Sequence, residues 1–166
     1  MMRGRRGNMV VEVAMWMPVI LLLISGVIQF GKITYLYYTL RKIEYGIARS
    51  VSIGSGVNFC PNASDTLIQG AIQFALTGAS DGSGTPLVSN LTPDMISVTT
   101  ECIDPATGLP GPCDASGCDG AAGARRPDYV VVTIPGGYPV EPRIPFVPLD
   151  SFQLRPTVAV PFGGVS

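Results

Sequence analysis

The sequence predicts an α+β protein: one long N-terminal helix, then a small domain with a second helix and an antiparallel sheet of about three strands. Three observations predict it. Residues 13–30 form an uncharged apolar run that passes into amphipathic spacing up to about Ser52. A shorter helical pattern closes at Gly78, and two β-rich stretches, 95–101 and 129–134, lie in a chain otherwise dense in Gly and Pro. The expected boundaries are residues 1–7, a basic leader; 8–53, the helix; and 54–166, a globular domain.

The leader holds Arg3, Arg5 and Arg6 and ends at Gly7. It is too short and too polar for a secretory signal peptide, which carries its apolar region before the cut. Here the apolar region follows. At ~1.5 Å per residue, Val13–Phe30 spans most of a hydrocarbon core about 30 Å thick. Glu12 sits at its mouth, where a carboxylate costs on the order of a few kcal/mol before pairing.

Beyond Phe30, apolar residues Ile33, Leu36, Tyr37, Leu40, Ile43, Ile47 and Val51 recur at helical spacing, with Lys32, Arg41, Lys42, Glu44 and Arg49 between them. The helix thus continues as a stalk whose apolar stripe packs on a domain. Tyr35, Tyr37 and Tyr38 suit an outer interfacial belt. Pro18 lacks a backbone donor and crowds Ala14, so a kink is expected there. Ser25, Gly26 and Gly31 leave room for close helix approach, or are ordinary membrane-helix composition.

Ile53-Gly54-Ser55-Gly56 ends this helix. The next is expected to be capped by Ser64 or Asn62, with Asp65 in its first turn. Its buried face is Leu67, Ile68, Ala71, Ile72, Ala75 and Leu76. Residues 79–86 read as a loop. Met95–Glu101 alternates as a half-buried strand does, and Tyr129–Ile134 is a stronger β-branched run. Residues 135–148 carry too many prolines for a central strand, and Phe152–Val160 forms a last strand interrupted at Pro156.

Composition excludes several function classes. The protein has no histidine, which removes the commonest general base, the Ser-His and Cys-His nucleophile pairs, and mixed Cys/His zinc sites. Net charge is −1; without the three leader arginines, 8 basic side chains face 12 acidic ones. A mildly acidic chain does not suit nucleic acid. No pair of carboxylates and no phosphate loop marks an active site, so neither catalysis, a cofactor nor a small-molecule substrate is expected.

Cys60, Cys102, Cys113 and Cys118 all follow the helix. In an oxidising compartment four cysteines make two disulfides, with three possible pairings. Local loop closure favours Cys113–Cys118, leaving Cys60–Cys102. A four-cysteine metal site lacks any Cys-x-x-Cys pair. Asp114, Ser116, Asp119 and Gly120 weakly suggest a calcium loop without its closing Glu, and read better as a solvated turn. Asn62-Ala63-Ser64 and Asn90-Leu91-Thr92 are glycosylation sequons only in a eukaryotic secretory pathway.

The N-terminal stretch resembles type IV prepilin-like proteins, whose basic leader ends in Gly and whose mature chain has Glu fifth, before a membrane helix. With Asn8 first, Glu12 is fifth. Within that class Arg6–Ala14, Met17-Pro18-Val19-Ile20-Leu21-Leu22-Leu23, Gly26 and Gln29-Phe30-Gly31 resemble the TadE-like pseudopilins of tight-adherence pili. Val13 stands where the major pilins have Tyr, which favours a minor pseudopilin.

The resemblance implies cleavage between Gly7 and Asn8 by a prepilin peptidase, with N-methylation of Asn8. It implies a place in the bacterial inner membrane with the N-terminus cytoplasmic and the C-terminal domain exported. The implied partners are other pilins and the pilus assembly platform. Glu12 would then pair with a neighbouring subunit's new α-amine and set register; it can also pair with its own amine one turn away, or simply favour the helix dipole. The alternative is an uncleaved anchor whose exterior domain binds a ligand or wall component.

Overall fold

A computed structural model describes residues 5–55, 57, 59, 65–113, 126–144 and 149–163, with side chains from Val11 onward. The elements are helix α1 (Arg5–Ser52), helix α2 (Thr66–Thr77), and strands β1 (Ser97–Ile103), β2 (Pro110–Pro112), β3 (Tyr129–Thr133), β4 (Tyr138–Val140), β5 (Phe152–Leu154) and β6 (Thr157–Pro161). The chain forms two compact units, Met1–Leu36 with Pro139–Phe152, and Tyr37–Tyr138 with Gln153–Ser166. The α+β class is as expected.

In the first unit α1 is unbroken through Pro18. Its side chains from Val11 to Ile24 are all exposed, and among the described residues it is the one helix long and apolar enough to cross a membrane. The amide of Gln29 donates to the backbone carbonyl of Arg143 at 2.6 Å. Arg143 also meets Glu141 at 3.5 Å, both side chains well exposed.

The second unit holds the core. Leu40, Ile43, Ile47, Ala48 and Val51 of α1 are buried, as are Ile68, Ala71, Ile72 and Leu76 of α2. Val98, Val132 and Val158 stand opposite one another across β1, β3 and β6, and all three are buried. The expected face of α2 is met at four positions, but Leu67 is 51% exposed.

Helix α2 is capped by Asp65, not by Ser64 or Asn62, which lie outside the described residues. Its carboxylate accepts from the backbone N–H groups of Leu67 and Ile68 at 2.8 and 3.1 Å. Gly78 closes the other end at φ 79°, a conformation glycine adopts without steric cost. Asp65→Ala should cost about 1 kcal/mol in chemical denaturation, while Asp65→Asn should be close to neutral.

The main sheet has four strands, in the order β2-β1-β3-β6, with every pairing antiparallel; the expectation was about three. The missed strand is β2, whose Pro-Gly-Pro composition argues against a strand. Asp104 N–H donates to Leu109 O, which makes Cys102 and Gly111 a hydrogen-bonded pair in the same register. Gly111 therefore faces β1, while the donorless Pro110 and Pro112 face away, where an edge strand tolerates proline. The expected Phe152–Val160 strand is two: β6 joins this sheet, and β5 pairs with β4 in a separate ribbon. Pro156, buried between them, marks the break.

The favoured disulfide pairing is corrected. Cys102 is bonded to Cys113, so neither Cys60–Cys102 nor Cys113–Cys118 forms. The register explains it: Cys102 lies opposite Gly111, two residues from Cys113, across the β1–β2 hairpin. Cys60 and Cys118 lie outside the described residues. Closing an 11-residue separation stabilises by about 3 kcal/mol in the chain-entropy account. Replacing both Cys102 and Cys113 by Ser should lower unfolding stability by that amount. Peptide mapping without reductant should recover the 102–113 link.

Candidate functional site

The site expected from sequence lies at the start of α1. Gly7 and Asn8 are both in helical backbone, and Glu12 follows Asn8 by one helical turn on the same helix. Glu12 is exposed, as are its neighbours Val11, Val13 and Met15. Among the described side chains, those beside that carboxylate on the helix are apolar and exposed. Water would solvate the carboxylate; a hydrocarbon phase would not, and a paired cation would then be needed.

The outer limit of the apolar segment can be read from the same unit. Gln29 is tied to the backbone of Arg143, whose guanidinium and the Glu141 carboxylate are solvated. Charged, water-exposed groups at that level place the upper edge of any hydrocarbon slab at about residue 28. The apolar stretch below, residues 11–28, is ~27 Å long, close to the core of a bilayer. Its lower end then falls at Glu12. Tyr35 and Tyr38, both exposed, follow within about three turns above that edge.

Residues 7–42 match the family model of TadE-like proteins. The match lies wholly within α1 and agrees with the resemblance carried by Gly7, Glu12, Pro18 and Gln29-Phe30-Gly31. The TadE-like match associates the chain with tight-adherence pilus systems. Neither a curated protein nor a solved structure matches the chain.

The other sequence-expected groups belong to the second unit or lie outside the described residues. Cys102 and Cys113 are consumed in their disulfide; the Asp114–Gly120 loop and Asn62-Ala63-Ser64 lie outside the described residues. Asn90 occupies a turn at φ 61°, a left-handed conformation that Asn tolerates better than most residues. Among the described residues, no group of three or more acidic or cysteine side chains is placed to hold a metal ion.

One polar residue was assigned to the wrong face. Glu44 was expected among the charges between the apolar positions. It is instead 1% exposed, and neither carboxylate oxygen has a hydrogen-bond partner among the described residues. Burial raises its pKa from 4.5 to about 7, against the opposing pull of the Arg41 charge. The signal was available: Glu44 lies four residues after Leu40 and three before Ile47, on the buried stripe itself.

Proposed function

We propose that this protein is a minor TadE-like pseudopilin, anchored by α1 in the bacterial inner membrane with its C-terminal domain exported. A prepilin peptidase removes residues 1–7, and the mature helix assembles into, or at the base or tip of, a tight-adherence pilus or related secretion structure. The observation that carries this reading is the TadE-like match over residues 7–42, with Glu12 at the inner end of an uncovered apolar helix.

The mechanism is helix packing with one electrostatic check. Cleavage after Gly7 turns the amide nitrogen of Asn8 into an α-amine, which is cationic near neutral pH. That amine offsets the Glu12 carboxylate of an adjoining subunit at one axial offset only, so attraction and register are set together. No step involves bond chemistry by this chain; it is a substrate of the peptidase and a part of the assembly.

A second reading draws on the start of α1 at Arg5. The Gly7–Asn8 bond then lies inside a helix, which a peptidase has to unwind and an uncut anchor does not. Intact mass of membrane-extracted protein separates the two. Loss of residues 1–7, with or without a methyl group on Asn8, is the expected result, and it should depend on the peptidase. A chain still beginning at Met1 in cells that carry the peptidase would leave the anchored exterior protein as the reading.

A further inference from the structure

We infer that the outer edge of β6, together with the flank of α1 beside it, takes up an extended acidic segment of a partner protein as an added strand. The inference holds whether or not the chain is cut after Gly7. It rests on backbone register and on charge.

Among the described residues, strand β6 ends the main sheet, with β3 on one side and no strand on the other. Phe162 N–H donates to Asp128 O, which makes 162 and 128 a hydrogen-bonded pair. With Val160 opposite Val130 and Val158 opposite Val132, the alternation gives the bonds to Val158 and Val160. The same alternation is reached from the far side of the sheet, where Asp104 and Cys102 face β2 and the odd-numbered residues of β1 face β3. The N–H and C=O groups of Thr157 and Ala159, and the C=O of Pro161, therefore point to the open edge. Pro161 has no N–H to leave unpaired there. Pro156 and Pro161 bracket the edge and keep it to five residues, ~17 Å.

Beside this edge lies a groove of about 450 Å³, walled by Thr157 and Ala159 on one side and by Tyr38, Arg41, Lys42 and Tyr45 of α1 on the other. Arg41 and Lys42 are exposed, Tyr38 and Tyr45 are 64% and 49% exposed, and no acid lines the groove among the described residues. A strand laid here would satisfy the outward backbone groups of Thr157 and Ala159, the mode of β-strand addition. Carboxylates on it would meet Arg41 and Lys42, and apolar side chains would meet the tyrosine rings. A second copy fits less well, because pairing β6 with β6 sets two Arg41–Lys42 pairs against each other. An anionic lipid would use the two cations but not the strand edge.

The test uses the full chain in zwitterionic detergent and two labelled nine-residue peptides, one alternating Val and Glu, the other Val and Lys. The acidic peptide should bind saturably and at least ten-fold more tightly than the basic one. Lys42→Glu and Ala159→Pro should each weaken it at least ten-fold. Hydrogen exchange reads the geometry without any substitution: bound peptide should slow the amides of Thr157 and Ala159 and leave Val158 and Val160 unchanged. Equal binding of the two peptides, or no added protection at 157 and 159, overturns the inference. A dimer that Ala159→Pro dissociates, with no peptide binding, assigns the edge to a second copy instead. Binding to anionic-lipid nanodiscs that survives Ala159→Pro, again without peptide binding, assigns Arg41 and Lys42 to lipid.

Discussion

Glu12→Ala should leave the chain cleaved after Gly7 and inserted in the membrane, yet absent from the assembled pilus fraction. Cleavage and insertion depend on the leader and on the apolar residues 11–28, which the substitution leaves intact and makes more apolar. In the proposed mechanism, incorporation depends on matching this carboxylate to one neighbouring α-amine. Removing the carboxylate leaves that amine buried without its partner, a loss on the order of 3–5 kcal/mol per contact. A 3 kcal/mol loss is already more than a hundred-fold in each subunit–subunit equilibrium. Glu12→Gln should fail nearly as badly, because it keeps shape and hydrogen bonding but not charge. Co-purification of either variant with other pilus components at the normal ratio would sink the registry role. A loss of cleavage in the same variants would move Glu12 from assembly to peptidase recognition.

The second unit should lose about 3 kcal/mol of stability as pH rises from 4.5 to 7, and Glu44 should be the cause. The sign follows from proton binding. The folded carboxyl titrates at about 7 and the unfolded one at 4.5, so between those values the folded state holds more protons. Stability then falls with rising pH across that window and is flat on either side of it, as far as this group contributes. Moving the carboxyl from 4.5 to about 7 corresponds to about 3 kcal/mol. Glu44→Gln should remove this component of the slope, and Glu44→Leu should also raise stability above pH 7 by about the same amount, since a buried acid without hydrogen bonds is replaced by a side chain suited to Leu40 and Ile47. Denaturation of the full chain in detergent from pH 4 to 9 reads both. Equal slopes in the original chain and Glu44→Gln would show that water or a cation reaches the carboxylate.

Legibility followed the range of the interactions involved. Both helices, the strand character of 97–101 and 129–133 and the proline break at 156 follow from spacing, propensity and missing N–H groups, all properties of short windows. The cap was misplaced by a single residue: Ser64 and Asp65 are both good caps, and the choice depends on which oxygen reaches Leu67 N and Ile68 N. The charge of Glu44 points to solvent, but its position on the apolar stripe decides its burial. The Cys102–Cys113 link was missed because β2 was missed. Pro110-Gly111-Pro112 has no local reason to be a strand, and only its pairing with β1 brings Cys113 within reach of Cys102.

The long helix and its TadE-like stretch were the most legible part, since the apolar run and residues 7–42 are consecutive along one helix. By itself the sequence determined the anchor, the position of Glu12 relative to Gly7 and the α+β class, because each depends on neighbours within a few turns of chain. Tertiary structure alone decided which cysteines join, which acid is buried and which backbone groups β6 leaves open. Those outcomes depend on the register of segments from 11 to more than a hundred residues apart, and residue type along the chain does not specify that register.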